Sequence, residues 1–241
     1  MNPTSENAAR LALVNQAAAL ARAGLDPLGS ATVSMRWARP AAEGLLLVSV
    51  SDCARLSPSV RPVSPALPDA GDEALPADLT DGSVADLASW HAFDDERLAG
   101  VHGGLYDRRP DAGAVLLLAS PFAATLACCR NVQLDGIPFF HPMVALSGRD
   151  RIDCCHPGFY AALSVAGSEA ADTLEAGSPL DMLLEALDGG RACLVAHYGQ
   201  LVVAETPQAA VQLAGQFEAL CQIYWQVLQL SSPRAVPILT A

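Results

Sequence analysis

Ala114-Val115-Leu116-Leu117-Leu118 is an unbroken apolar run, closed by Gly113 on one side and by Pro121 just beyond the other. Neighbouring side chains of a strand point to opposite faces, so a strand with no polar alternation has to be covered on both. A sheet that carries it must lie between two layers. With 51% apolar residues, the 241-residue chain has the material for such a core. One domain over residues 1–241 is expected, interrupted by an acidic, proline-rich loop at about 57–86, where Pro58, Pro62, Pro65, Pro68 and Pro76 oppose regular structure.

The flanking sequence supplies strands and helices in alternation. Residues 6–23 read as a helix with Leu11, Val14, Ala18 and Ala21 on one stripe and Gly24 at its C-terminal end. Ala31–Arg36 and Leu45–Val50 read as strands, Asp94–Arg108 as a helix and Phe122–Cys129 as a short helix for which Ser120 is the simplest cap. Ala192–Ala196 and Gln200–Ala204 read as two strands meeting at Tyr198-Gly199. Pro207 opens a long final helix with Leu213, Phe217, Leu220, Tyr224, Val227 and Leu228 on one face. The class is α/β with one central sheet.

Composition removes several functions. A formal charge of −12 argues against nucleic acid or an anionic membrane as partner. All fourteen Lys+Arg residues are arginine, so a Schiff base to a substrate carbonyl and a lysine-tethered cofactor are both closed off. Seven cysteines without small-scaffold spacing, and a start with no basic n-region before an apolar run, make a reduced cytoplasm the expected location.

Several segments resemble the class II aldolase/adducin family, and within it the fuculose-1-phosphate aldolase type. Leu25–Arg36 resembles the family's glycine-rich turn; Val101-His102, Tyr106, Arg109-Pro110-Asp111 and Ala114-Val115 follow its helix and strand. Ile137-Pro138, His141 and Met143 resemble a middle strand, His197-Tyr198-Gly199 stands where the family has His-Gly, and Leu213-Ala214, Glu218, Leu220 and Gln222-Ile223-Tyr224 match its last helix. The resemblance implies a three-layer α/β/α fold around one mostly antiparallel sheet. It also implies a zinc on three histidines beside an acid/base glutamate.

Carried over one at a time, those ligand positions hold Leu98 for the glutamate, Leu117 and Ala119 for the paired histidines, and Tyr198 for the third histidine. No metal and no other cofactor is therefore expected. The positions that the resemblance assigns to phosphate binding are Ser30 and Thr32 in the glycine-rich turn, Ser49 and Ser51 in the next turn, and Arg97 where a serine pair is usual. Glu96 and Asp52 beside them would repel a phosphate. A class II aldolase stabilises a carbanion with a Lewis-acid metal, and without lysine the imine route is closed as well.

Two readings follow. One is a non-catalytic or metal-independent binding subunit, in a homo-oligomer (tetramer or dimer) or a hetero-oligomer with an active paralogue, holding a small-molecule ligand. The other is a lyase/aldolase-type enzyme on a small hydroxy-carbonyl or sugar-derived substrate, with Tyr198, His197 and His102 as acid/base candidates. Cys154-Cys155-His156, with His141, offers relocated ligands; structural cysteines beside the Pro157-Gly158 turn are the simpler reading. His91 has no identifiable partner. Arg36 and Arg109 are expected to pair with carboxylates.

Overall fold

The computed structural model describes residues 6–38, 43–49, 84–86, 96–159, 162–163 and 178–230. Seven strands form one sheet: β1 (Thr32–Ala38), β2 (Glu43–Ser49), β3 (Val84–Asp86), β4 (Ala114–Leu118), β5 (Cys154–Cys155), β6 (Ala192–Val195) and β7 (Gly199–Ala204). Their spatial order is β3-β2-β1-β4-β7-β6-β5, and every neighbouring pair is antiparallel except β5 with β6. The apolar run is β4, the central strand of the seven, buried along its whole length.

Register sorts the side chains into two cores. Thr32 and Leu201 both pair with Leu117, and Ser34 and Val203 with Val115, so these residues share one face. Val115, Leu117, Leu201 and Val203 pack there with α2 (Glu96–Arg108), through Val101, Leu105 and Tyr106, and with α5 (Pro179–Leu187), through Met182 and Leu183. Val33, Leu116, Leu118 and Val202 face the other way, onto α1 (Glu6–Arg22), α3 (Pro121–Ala127) and α6 (Pro207–Leu230). Helices on both faces of a mostly antiparallel sheet make the three-layer α/β/α architecture. No helix among the described residues is long and apolar enough to cross a membrane.

Some local expectations shift. α1 buries Ala9, Leu13, Ala17 and Leu20, whereas Leu11 is 41% exposed and Ala21 is on the surface. In so alanine-rich a helix several stripes are apolar, and the stripe with two leucines at close spacing to small alanines is the one that fits against β1 and β2. Gly24 does close the helix, at φ +67°, with the Leu25 N–H reaching back to the Leu20 carbonyl. α3 ends at Ala127 and a separate α4 (Arg130–Asp135) follows. The Ile137–Met143 segment is not a strand: Ile137 makes an isolated bridge to Ile152, and His141 caps a 3-10 helix over Pro142–Ser147 by accepting from the Met143 N–H. α5 starts with Ser178 capping the Asp181 N–H ahead of Pro179, a signal that so short an element gives little periodicity to support. The proline-rich 57–83 stretch lies outside the described residues.

Candidate functional site

The glycine-rich turn is built around one carboxylate. Buried Asp26 accepts from the Ser30 N–H at 3.0 Å and from the Ala31 N–H at 2.9 Å, and Gly29 supplies the positive φ that lets the chain return. This fixes the Ser30 carbonyl, which accepts a 2.8 Å hydrogen bond from the Tyr198 hydroxyl. The Ser30 side chain is itself held by Asp26.

Thr32 begins β1 on the face it shares with Leu117. Its Oγ1 lies 2.9 Å from His102 Nε2, His102 Nδ1 lies 2.8 Å from Ser34 Oγ, and Ser34 Oγ lies 2.9 Å from the Tyr106 hydroxyl. All four groups are buried. Burial pulls the His102 pKa down to about 3 and pushes the Tyr106 phenol well above its usual range, so both side chains are neutral at physiological pH. A neutral imidazole carries one donor and one acceptor, which suits a bridge between two hydroxyls. Arg36 donates to the Tyr106 carbonyl and lies over its ring, with 5.4 Å to the centroid. Arg109 pairs with Asp111. Ser34 and Tyr106 are the members of this network that residue-by-residue transfer did not single out; their spacing, i+2 from Thr32 and i+4 from His102, places them on the same faces.

Three of the four positions that the resemblance assigns to metal ligands share one core. Leu117 belongs to the core between the sheet, α2 and α5, and Leu98 and Tyr198 pack against that same core. Ala119 is buried just past the end of β4. Leucine and alanine offer no lone pair, and the Tyr198 hydrogen is engaged by Ser30. Among the described residues, no group of three or more His, Cys, Asp or Glu is placed to hold a metal ion. The donor set here does not fit zinc.

Of the three acid/base candidates, each has a different partner. His197, at φ +62°, turns its ring to Gln133 on α4, 3.3 Å away, while Tyr198 faces Ser30 and His102 faces Thr32 and Ser34. Tyr198 and His102 thus bond to the two ends of the Ser30–Thr32 segment, whereas the His197 ring goes to Gln133. Ser49 ends β2, Arg97 sits in the first turn of α2, and Ser51 and His91 lie outside the described residues. The Cys154 thiol is raised by burial to about 12, and the His156 Nδ1 is occupied by the Gly158 N–H.

A second buried polar cluster secures the strand-to-helix turn after β4. Ser120 is at the N-cap of α3, yet its hydroxyl does not cap the helix; it donates to Glu218 Oε2 at 2.6 Å. The Glu218 carboxylate does the capping from α6, accepting from the Phe122 and Ala123 N–H groups at 2.7 and 3.0 Å. Gln200 donates to Ser120 Oγ at 2.6 Å and ties β7 into the same cluster.

The family model of the class II aldolase and adducin N-terminal domain matches residues 74–225, and the chain belongs to that family. It is similar to the 5-methylthioribulose-1-phosphate/5-deoxyribulose-1-phosphate aldolase of Rhodospirillum rubrum, 35% identical over 136 residues, which is 56% of this chain and 53% of that protein. It is also similar to the L-fuculose phosphate aldolase of Haemophilus influenzae, 29% identical over 139 residues, 58% of this chain and 55% of that one. The chain spans about half the length of the curated relatives it matches. Among solved structures, an L-fuculose 1-phosphate aldolase aligns over 98% of this chain and 92% of its own with a TM-score of 0.63 and 15% identity. The l-fuculose-1-phosphate aldolase of Thermus thermophilus aligns over 93% and 98% with a TM-score of 0.54 and 20% identity. These likenesses establish the fold.

Proposed function

We propose that this chain is a class II aldolase-family protein whose family pocket acts as a non-catalytic or metal-independent binding site, in a homo-oligomer or beside an active paralogue. The observation that carries this reading is the joint placement of Leu117, Leu98 and Tyr198 in one apolar cluster at the positions which the resemblance assigns to metal ligands. Four changes within one small region remove the donors together, and the absence of lysine removes the imine alternative. Ser30, Thr32, Ser49, Ser51 and Arg97 are the residues that would contact a small ligand. His102, neutral and bonded through both ring nitrogens, would position Thr32.

The names of the relatives favour a second reading, a lyase/aldolase-type enzyme in the same pocket. Tyr198 would then be the proton donor, since its phenol is partly buried and already directed by a hydrogen bond.

One experiment separates the two. Purified protein is assayed for bound metal and for cleavage of L-fuculose 1-phosphate and 5-deoxyribulose 1-phosphate, with and without added zinc. The binding reading expects substoichiometric metal and no cleavage under either condition. Stoichiometric zinc would overturn it, and cleavage abolished by Tyr198→Phe would establish the enzyme.

A further inference from the structure

A cleft of about 740 Å³ lies beside β5, the last strand of the sheet among the described residues, between α4 and α5, and nothing in the family resemblance assigns it a role. Its arginine side is formed by Arg130 at the start of α4 and by Arg149 and Arg151 ahead of β5. In a chain of formal charge −12, three guanidinium groups around one cleft run against the overall balance.

Internal pairing absorbs only part of this charge. Arg149 pairs with Asp188 and lies 3.6 Å from Asp153, and Arg151 binds Asp153 at 2.5 Å. Among the described residues, Arg130 has no hydrogen-bond or ion-pair partner and its side chain is exposed to the cleft. His156 also lines it. Because its Nδ1 accepts from the Gly158 N–H, its Nε2 carries the ring hydrogen and is a donor. Met182 and Ala186 of α5 lie behind the cleft and are themselves buried, Glu185 of α5 is exposed, and the apolar surface open to a ligand is Leu134 of α4, 68% exposed. An anionic head is thereby directed to the arginine side, while its body finds an apolar surface.

We infer that this cleft is a binding site for a small organic oxyanion, a carboxylate or phosphate monoester with an apolar body, with the Arg130 guanidinium as the principal contact and exposed Leu134 taking the body. Guanidinium groups suit such ligands because their N–H pairs match two oxygens at once. The inference is independent of the reading proposed above, since none of the residues assigned to that pocket lines this cleft.

Titration calorimetry of the full chain near neutral pH with phenyl phosphate, benzoate and inorganic phosphate tests it. One site is expected, with phenyl phosphate or benzoate binding at least about tenfold more tightly than inorganic phosphate because of the apolar Leu134 side chain. The tighter of the two aromatic probes identifies the head group. Arg130→Gln should weaken binding by about tenfold or more without altering the melting temperature, since the side chain supports no other contact. Tyr198→Phe should leave the affinity unchanged, and bound metal and cleavage should not respond to Arg130→Gln. Absence of binding by all three probes at millimolar concentration, or binding unaffected by both Arg130→Gln and Arg151→Gln, would overturn the inference.

Discussion

The hydroxyl of Tyr198 donates to the carbonyl of Ser30 at 2.8 Å, joining the β6–β7 turn to the glycine-rich turn across 168 residues of chain. The bond places a phenol at the position where the family resemblance puts a metal-binding imidazole. The ring packs on the core that contains Leu117, and the hydroxyl satisfies a backbone acceptor.

Tyr198→Phe removes one partly buried neutral hydrogen bond while keeping the ring. A loss of about 1 kcal/mol is expected, read from the midpoint of urea unfolding. A loss below a few tenths of a kcal/mol would mean that the bond does not anchor the two turns.

Leu117 is 1% exposed and surrounded by core. Leu117→Ala should cost about 2–5 kcal/mol, the range for a buried leucine whose neighbours cannot collapse. If an open, solvated pocket adjoined this side chain, the cost would fall well under that range, and chemical denaturation distinguishes the two.

His102 links stability to pH. The unfolded imidazole takes a proton near its ordinary value of 6.5, whereas the folded one does so only near 3. Between those limits the unfolded state binds more protons, so stability is full above about pH 6.5 and falls as pH drops, by about 1.4 kcal/mol per unit from this residue. Unfolding free energies measured across that window should show a steeper slope for the natural protein than for His102→Gln. Equal slopes would show that His102 titrates normally in the folded chain.

Glu218 caps α3 from another helix, and four groups depend on it directly or through Ser120: the Phe122 and Ala123 N–H groups, Ser120 and Gln200. Glu218→Ala should cost about 2–4 kcal/mol, because buried donors lose a charged acceptor. Glu218→Gln retains one acceptor oxygen and should fall between the variant and the natural protein. A near-neutral Glu218→Ala would contradict this account of how the turn after β4 is held.

Much of the layered fold was legible from local sequence. The continuous apolar run required cover on both faces, Gly24 marked the end of α1, and Pro207 with the stripe from Leu213 to Tyr224 marked α6; each signal acts over a few residues. The burial phase of α1 was not legible, since alanines surround that helix and only contact with β1 and β2 selects Leu13 and Leu20. The capping of α3 was equally hidden: Ser120 has the right type and place for a cap, yet a carboxylate 98 residues further on takes the N–H groups and turns the serine into its own donor.

The same division holds at the candidate site. Sequence alone determined which atoms are available: two leucines, an alanine and a tyrosine at the ligand positions of the resemblance, and no lysine anywhere in the chain. Only the tertiary structure decided that Leu98, Leu117 and Tyr198 share one core, that His102 spends both ring nitrogens on Thr32 and Ser34, and that His197 turns to Gln133 instead of joining its neighbour. Residue identity sets the donors and acceptors a chain possesses. Their partners depend on strand register and helix packing, which bring together residues up to 168 positions apart.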